Sequence, residues 1–128
     1  LKEGDMATII ACGIMVSQAM EAAKLLEAEG INVRVLDMAT IKPLDVDACV
    51  KAAQETGAIV TAEEHNIIGG LGSAVSEILG EQCPVPMERV GVKDTFGQSG
   101  TPDQLLEFYG LTAKDIVAAV KRVLKRKA

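Results

Sequence analysis

Short apolar runs alternate along the chain with longer stretches in which apolar side chains recur every three or four positions. The runs are typical of buried strands and cover residues 6–11, 33–36, 58–62 and 85–92. The stretches with helical spacing cover residues 14–29, 45–56, 71–80, 101–110 and 112–127. Strands that alternate with helices predict parallel pairing and right-handed crossovers. We therefore predict one α/β domain over residues 1–128, with helices on both faces of a central sheet.

Residues that begin or end helices stand where this pattern requires them. Asp45 and Thr112 are good N-caps, and residues 101–104 read Thr-Pro-Asp-Gln, which is the form of a capping box. Glycines end four of the predicted helices, at Gly30, Gly57, Gly80 and Gly110. The agreement between these residues and the hydrophobic period supports the predicted order of elements.

Composition restricts both the core and the partners. The chain has no Trp, one Tyr and two Phe, so aliphatic side chains must build the core, with helices lying close to the sheet. A net charge of -5 argues against a nucleic-acid surface, because phosphate binding needs concentrated Lys and Arg. The basic residues at 121–127 are interpreted as the last turns of a helix, where cations favour the helix dipole.

Three cysteines, Cys12, Cys49 and Cys83, make an odd number without a Cys-x-x-Cys pair. This pattern argues against a disulfide framework or a zinc site and favours a reducing, cytoplasmic setting. No apolar run is long enough to cross a bilayer, and nothing resembles a signal peptide.

The candidate chemistry lies at the end of the third predicted strand. There, Glu63, Glu64 and His65, the only histidine, precede a glycine cluster and a helix. The carboxyl ends of parallel strands are where α/β proteins meet ligands and partners. The candidate anion or interface loop consists of Glu64, His65, Gly69, Gly70 and Gly72.

Two interpretations of this loop stay open. Free N–H groups at a helix start attract phosphate or carboxylate, so the loop could hold an anion. Alternatively, the glycines form a tight turn that lets the helix pack closely. The spacing is neither Gly-x-Gly-x-x-Gly nor a Walker loop, since position 75 is Val and no Gly-Lys-Ser/Thr follows.

No complete catalytic constellation is predicted. Glu63 and Glu64 are adjacent on a strand end and point to opposite faces, so they do not form a dyad. Ser73 and Ser99 lack a nucleophile-elbow context, and one histidine among carboxylates does not predict a metal site. We therefore assign no catalytic, cofactor-binding or metal-binding residue.

The polar loop 94–100, which contains Phe96, is interpreted as either a partner contact or a plain surface loop.

Three spaced motifs resemble the carboxyl-terminal domains of thiamine-diphosphate enzymes. They occupy residues 36–45 (LDMATIKPLD), residues 59–65 with 69–75 (IVTAEEH, GGLGSAV), and residues 89–94 with 96–102 (RVGVKD, FGQSGTP). The last is most similar to transketolases encoded as two subunits. The match runs in order from about Gly4 to Leu124.

The resemblance implies a three-layer α/β/α fold with a five-stranded, mostly parallel (mixed) sheet, whose first, antiparallel strand would end near residues 1–3. It implies a whole enzyme that moves a two-carbon ketol unit between sugar phosphates, using thiamine diphosphate and a divalent metal, Mg²⁺. In that family the cofactor is held by other domains, so none is expected on this chain. The expected partners are the N-terminal and pyrimidine-binding domains or subunit, in a homo-oligomer.

The function predicted from this resemblance is the carboxyl-terminal domain, or split subunit, of a cytoplasmic, dimeric transketolase of the pentose phosphate pathway. The isolated domain would be inactive and would serve packing and dimer assembly. Deoxyxylulose-phosphate synthase and the beta subunit of a 2-oxoacid dehydrogenase share this domain and stay open as alternatives. An independent phosphate- or nucleotide-binding module and a pure interaction domain are the alternatives of other classes.

Overall fold

The computed structural model describes residues 2–38, 46–66, 71–92 and 112–127, with the main chain alone at residues 64–66, 71 and 92. Strands and helices alternate along the described chain, as the hydrophobic pattern predicts. In order, they are β1 (Ala7–Ala11), α1 (Met15–Glu27), β2 (Val33–Asp37), α2 (Val46–Thr56), β3 (Ile59–Asn66), α3 (Leu71–Gln82), β4 (Met87–Val92) and α4 (Ala113–Arg126).

The strands form a parallel sheet in the order β2-β1-β3-β4. Ile9 at the centre pairs with Val35 on one side and with Val60 on the other. After β2 is added on one side of β1, the chain crosses over and adds β3 on the other side. The carboxyl ends of β1 and β3 therefore form a topological switch point.

The prediction of five strands differs from the structure, which has four among the described residues. The expected antiparallel edge strand is represented by a single bridge, in which Lys2 pairs with Val35 beside β2. The Val35 N–H donates to the Lys2 carbonyl oxygen at 2.9 Å. One bridged residue does not make a strand, although its direction and position match the prediction.

Two hydrophobic clusters lie on opposite faces of the sheet, which gives the three predicted layers. Successive side chains of a strand point to opposite faces, so Ile9 joins the cluster of α1 and α4, while Ile10 joins that of α2 and α3. Buried alanines on the helices allow the close helix-to-sheet packing expected from the composition, as at Ala19, Ala22 and Ala23 of α1.

Two of the four predicted helix-ending glycines are confirmed, and Gly110 lies outside the described residues. Gly30 and Gly57 have φ angles of +79° and +72°, a conformation that glycine adopts without strain. The prediction for Gly80 is wrong, because α3 continues to Gln82 and the Cys83 N–H donates to the Leu79 carbonyl oxygen at 3.0 Å. The buried Leu79 keeps this turn on the sheet, so packing outweighs the low helix propensity of glycine.

The last helix begins and ends as predicted. The Thr112 N–H donates to Asp115 Oδ2 at 2.9 Å, within a capping box. The basic residues near the end of α4 lie within or just after its last turns, where Arg122 and Arg126 form ion pairs with Glu88 of β4. The predicted N-cap Asp45, the helix at 101–110 and the loop at 94–100 lie outside the described residues.

Candidate functional site

The third strand is longer than predicted, and this changes the setting of its polar residues. β3 continues past Ala62 to Asn66, so Glu63, Glu64 and His65 belong to the strand and not to a loop. Its pairing with β4 shifts register between Ala62 and Asn66. A shift of this kind re-aims side chains at the end of a strand.

Thr61 and Glu63 lie two positions apart on β3 and therefore share a face of the sheet. Each is 1% exposed. Helix α3 lies over this face, and the Gly72 N–H in its first turn donates to Glu63 Oε1 at 3.3 Å. The first N–H groups of a helix lack partners within the helix, and a carboxylate there is favoured by the helix dipole. Glu63 therefore anchors the start of α3 to the sheet.

Gly72 allows this helix to approach the sheet closely. A Cβ atom at this position would lie 3.0 Å from Thr61 Oγ1 and 3.0 Å from Arg89 Cδ. Both distances are shorter than ordinary van der Waals contact between these atoms. Close packing of α3 on β3 and β4 therefore accounts for a glycine at position 72.

Arg89 of β4 completes this group of polar residues. It pairs with Thr61 in the β3–β4 register, and its Nη1 lies 3.5 Å from Ser73 Oγ, to which it donates. We call the five residues the β3–α3 polar cluster; its members are Thr61, Glu63, Gly72, Ser73 and Arg89. The cluster lies below the first turn of α3, toward the carboxyl ends of β3 and β4.

The structure brings one residue of the predicted candidate loop into this cluster, namely Gly72. For Glu64 and His65 the structure places only the main chain, on β3, and their side chains lie outside what it describes. Gly69 and Gly70 also lie outside the described residues. The assignment of these five residues as an anion or interface loop stays a prediction.

The polar cluster was only partly visible in the sequence. The alternation of a strand could have placed Thr61 and Glu63 on one face, had β3 been assigned its full length. Arg89 was missed because its place opposite Thr61 depends on the pairing of β3 with β4. Nothing in the residues themselves specifies that register.

The contacts of this cluster favour a structural role over catalysis. The side chain of Glu63 already accepts the Gly72 N–H, so this N–H is not free to bind an external anion. The Thr61 hydroxyl has no hydrogen-bond partner among the described residues. Within the same part of the chain, no group of three or more His, Cys, Asp or Glu residues is placed to hold a metal ion.

Comparison with known proteins identifies the fold. Residues 1–116 match the family described as transketolase, C-terminal domain. The chain belongs to this family. Among solved structures, a split-gene transketolase, described as an inactive beta4 tetramer, superposes with a TM-score of 0.96 at 60% sequence identity. The match covers 99% of this chain and 42% of that one.

Curated relatives of the transketolase family include enzymes of more than one specificity. The 6-deoxy-6-sulfo-D-fructose transketolase subunit SqwH of Clostridium sp. is 54% identical over 99% of this chain and 39% of its own length. The 1-deoxy-D-xylulose-5-phosphate synthase of Heliobacterium modesticaldum is 49% identical over 97% of this chain and 19% of its own length. The chain thus spans about two-fifths or less of these relatives.

Taken together, the fold and the comparisons identify a transketolase C-terminal domain, an α/β fold whose sheet has parallel strands. Among the described residues, no helix is both long and apolar enough to cross a membrane.

Proposed function

We propose that this chain serves as the C-terminal domain of a transketolase that transfers a two-carbon ketol unit between sugar phosphates. The observation that carries the proposal is 54% identity, over nearly the whole chain, to a transketolase subunit. The apulose-4-phosphate transketolase of Phocaeicola vulgatus, one of whose subunits is 43% identical over 98% of this chain, supports the same conclusion. Within the enzyme, the domain packs on the thiamine-binding domains and aids assembly.

The proposed enzyme uses thiamine diphosphate and Mg²⁺, held by its other domains. The β3–α3 polar cluster does not fit a diphosphate, since the buried carboxylate of Glu63 lies at the helix start where the phosphate would bind. No residue of this chain is therefore assigned a catalytic role. Glu64, His65, Gly69, Gly70 and Gly72 remain the proposed interface or regulatory site, between the end of β3 and the start of α3.

The proposed setting is the cytoplasm, in a homodimeric enzyme of the pentose phosphate pathway. The three cysteines, all within the described residues, form no disulfide, which is compatible with a reducing compartment. The expected partners are the N-terminal and pyrimidine-binding domains, on the same chain or on a separate subunit.

A reconstitution assay tests the proposed activity. The chain is prepared alone and together with the thiamine-binding part of the enzyme, and ketol transfer from xylulose 5-phosphate is measured in both. We expect transfer only in the combined preparation. Transfer by the 128-residue chain alone, or its failure in every combined preparation, would contradict the proposal.

Deoxyxylulose-phosphate synthase is the second candidate, because the Heliobacterium synthase is 49% identical to this chain. The same combined preparation can be assayed for 1-deoxy-D-xylulose 5-phosphate. Formation of that compound without ketol transfer would replace the transketolase assignment by the synthase assignment.

A further inference from the structure

Among the described residues, the large apolar side chains that remain exposed are concentrated at one helix. Ile14, at the N-cap of α1, is 51% exposed, and Met20 and Leu25 within α1 are 37% and 42% exposed. Single exposed apolar residues are ordinary on protein surfaces, but several on one helix indicate an interaction face.

Two grooves flank this helix and share a residue. One, of about 530 Å³, is lined by Lys2, Ser17, Met20, Glu21, Lys24 and Glu27. The other, of about 650 Å³, lies between α1 and the start of α4, and Glu21 and Leu25 line it. We call Met20, Glu21, Lys24 and Leu25 the α1 outer face; it forms the ridge between the two grooves.

The helices of the opposite layer have a different outer surface. The exposed positions of α2 are polar, at Asp47, Lys51, Gln54 and Glu55. The exposed positions of α3 with described side chains are Glu77, Gly80, Glu81 and Gln82. Neither helix presents a large apolar residue to solvent among these positions, so the α1 outer face differs from the outer surface of the α2–α3 layer.

We propose that the α1 outer face is the surface on which the remaining part of a transketolase subunit docks. This inference rests on the proposed function. The chain covers 39% of the related Clostridium subunit and 42% of the related split-gene transketolase, so about three-fifths of each lies outside the matched region. That remainder is large enough to cover a helix and two grooves.

The path of the chain favours the same side of the domain. Lys2 lines the smaller groove beside α1, and its main chain is bonded to Val35 of β2. In a subunit of which this is the C-terminal domain, the preceding polypeptide therefore reaches the fold beside α1.

The residues of this face also indicate what their partner presents. Met20 lines one groove and Leu25 the other, while Glu21 lines both and therefore lies between them. The docking surface of the preceding domain should therefore present two apolar contacts, one for each groove, with charged or polar residues between them.

Thiol labelling of the intact subunit tests this surface. Single variants Met20→Cys, Leu25→Cys and, as control, Lys51→Cys on the exposed side of α2 are made in the complete subunit. Each maleimide reaction rate is measured in buffer and in urea, after subtraction of the rate of the parent protein. We expect the two α1 variants to react at least about tenfold more slowly in buffer than in urea. The rate of Lys51→Cys should differ much less between the two conditions.

Equal rates for the α1 variants and the control would overturn the docking inference. Ketol transfer by the unmodified subunit in combination with the thiamine-binding part of the enzyme, assayed in parallel, separates this outcome from failure of the proposed function. An active subunit with fast labelling at Met20→Cys and Leu25→Cys would place the docking surface elsewhere. A protected α1 in a subunit that gives no ketol transfer in the combined preparation would support the docking surface and contradict the proposed activity.

Discussion

Two glycines of one helix have opposite structural roles. Gly72 lies against the sheet, where a Cβ would approach Thr61 Oγ1 and Arg89 Cδ at 3.0 Å, whereas a Cβ at Gly80 would meet nothing within 4 Å. Both lie in α3, so their helix propensities are similar, and only their surroundings differ. The hydrophobic pattern of the sequence does not reveal this difference between the two glycines.

We predict that Gly72→Ala lowers the free energy of unfolding by about 1–2 kcal/mol, because the stiff β-branched Thr61 cannot move aside. The matched change Gly80→Ala should raise it by about 0.5–1 kcal/mol, since alanine restricts the unfolded chain and favours the helix. Urea unfolding of both variants measures the difference. Equal shifts in the same direction would refute the assigned role of Gly72.

Two buried threonines form another matched pair. Thr56 Oγ1 donates to the Ala52 carbonyl oxygen at 2.7 Å and lies 2.8 Å from Thr8 Oγ1, with which it shares a hydrogen bond. Thr61 Oγ1 is buried without a partner among the described residues. A buried hydroxyl stabilises a protein only when it is hydrogen-bonded.

Thr56→Val should therefore lower the free energy of unfolding by about 1–3 kcal/mol, because it also leaves the Thr8 hydroxyl without this partner. Thr61→Val should change it by less than about 0.5 kcal/mol or raise it. The midpoint of urea unfolding at an unchanged slope gives both values. A larger loss for Thr61→Val would mean that its hydroxyl is satisfied.

Among the elements, α4 illustrates how much could be predicted locally. Its N-cap, its apolar face and its basic last turns are all readable in the sequence, because each depends on residues within one helix. The residues that hold α4 to the sheet cannot be identified from the sequence in this way. Glu88 lies on β4, 34 positions before Arg122, and the two meet because α4 packs across that strand.

The contact between α4 and β4 should make stability depend on pH. Burial acts to raise the pKa of Glu88, but hydrogen bonds and charges from Arg122 and then Arg126 outweigh it and lower the pKa below 4.5. A carboxyl whose pKa is depressed on folding stabilises the protein above its unfolded pKa and loses this contribution as the pH falls through its folded pKa.

Glu88→Gln should therefore cost about 0.5–1 kcal/mol at about pH 7, where the carboxylate is charged, since exposed ion pairs are weak. The difference from the parent protein should shrink below about pH 4.5 and vanish once Glu88 is protonated. Chemical unfolding at a series of pH values measures it, with Glu81→Gln, an exposed change on α3, as control. A cost that persists at low pH would exclude the ion pairs as its source.

The whole domain has two cores that share one sheet. Ile9 and Ile10 are adjacent in β1 and fully buried, yet they belong to different clusters on opposite faces. Because the strands between the layers are common to both, loss of packing on one face should weaken the other.

We expect Ile9→Ala and Ile10→Ala each to lower the free energy of unfolding by about 2–5 kcal/mol, through lost burial and a cavity. Each variant should still unfold in a single transition. Calorimetry checks this by comparing the calorimetric with the van't Hoff enthalpy. A second transition in either variant would show that the two layers unfold independently.

The order of strands and helices, the composition of the core and the family could be derived from the chain alone. Hydrophobic period and capping residues act over a few positions, and three motifs in sequence order identify a family. The length of β3, the continuation of α3 through Gly80 and the meeting of Thr61, Glu63, Gly72 and Arg89 could not be derived in this way. They depend on strand register and on the distance between helix and sheet, which arise only when segments far apart in the chain pack together.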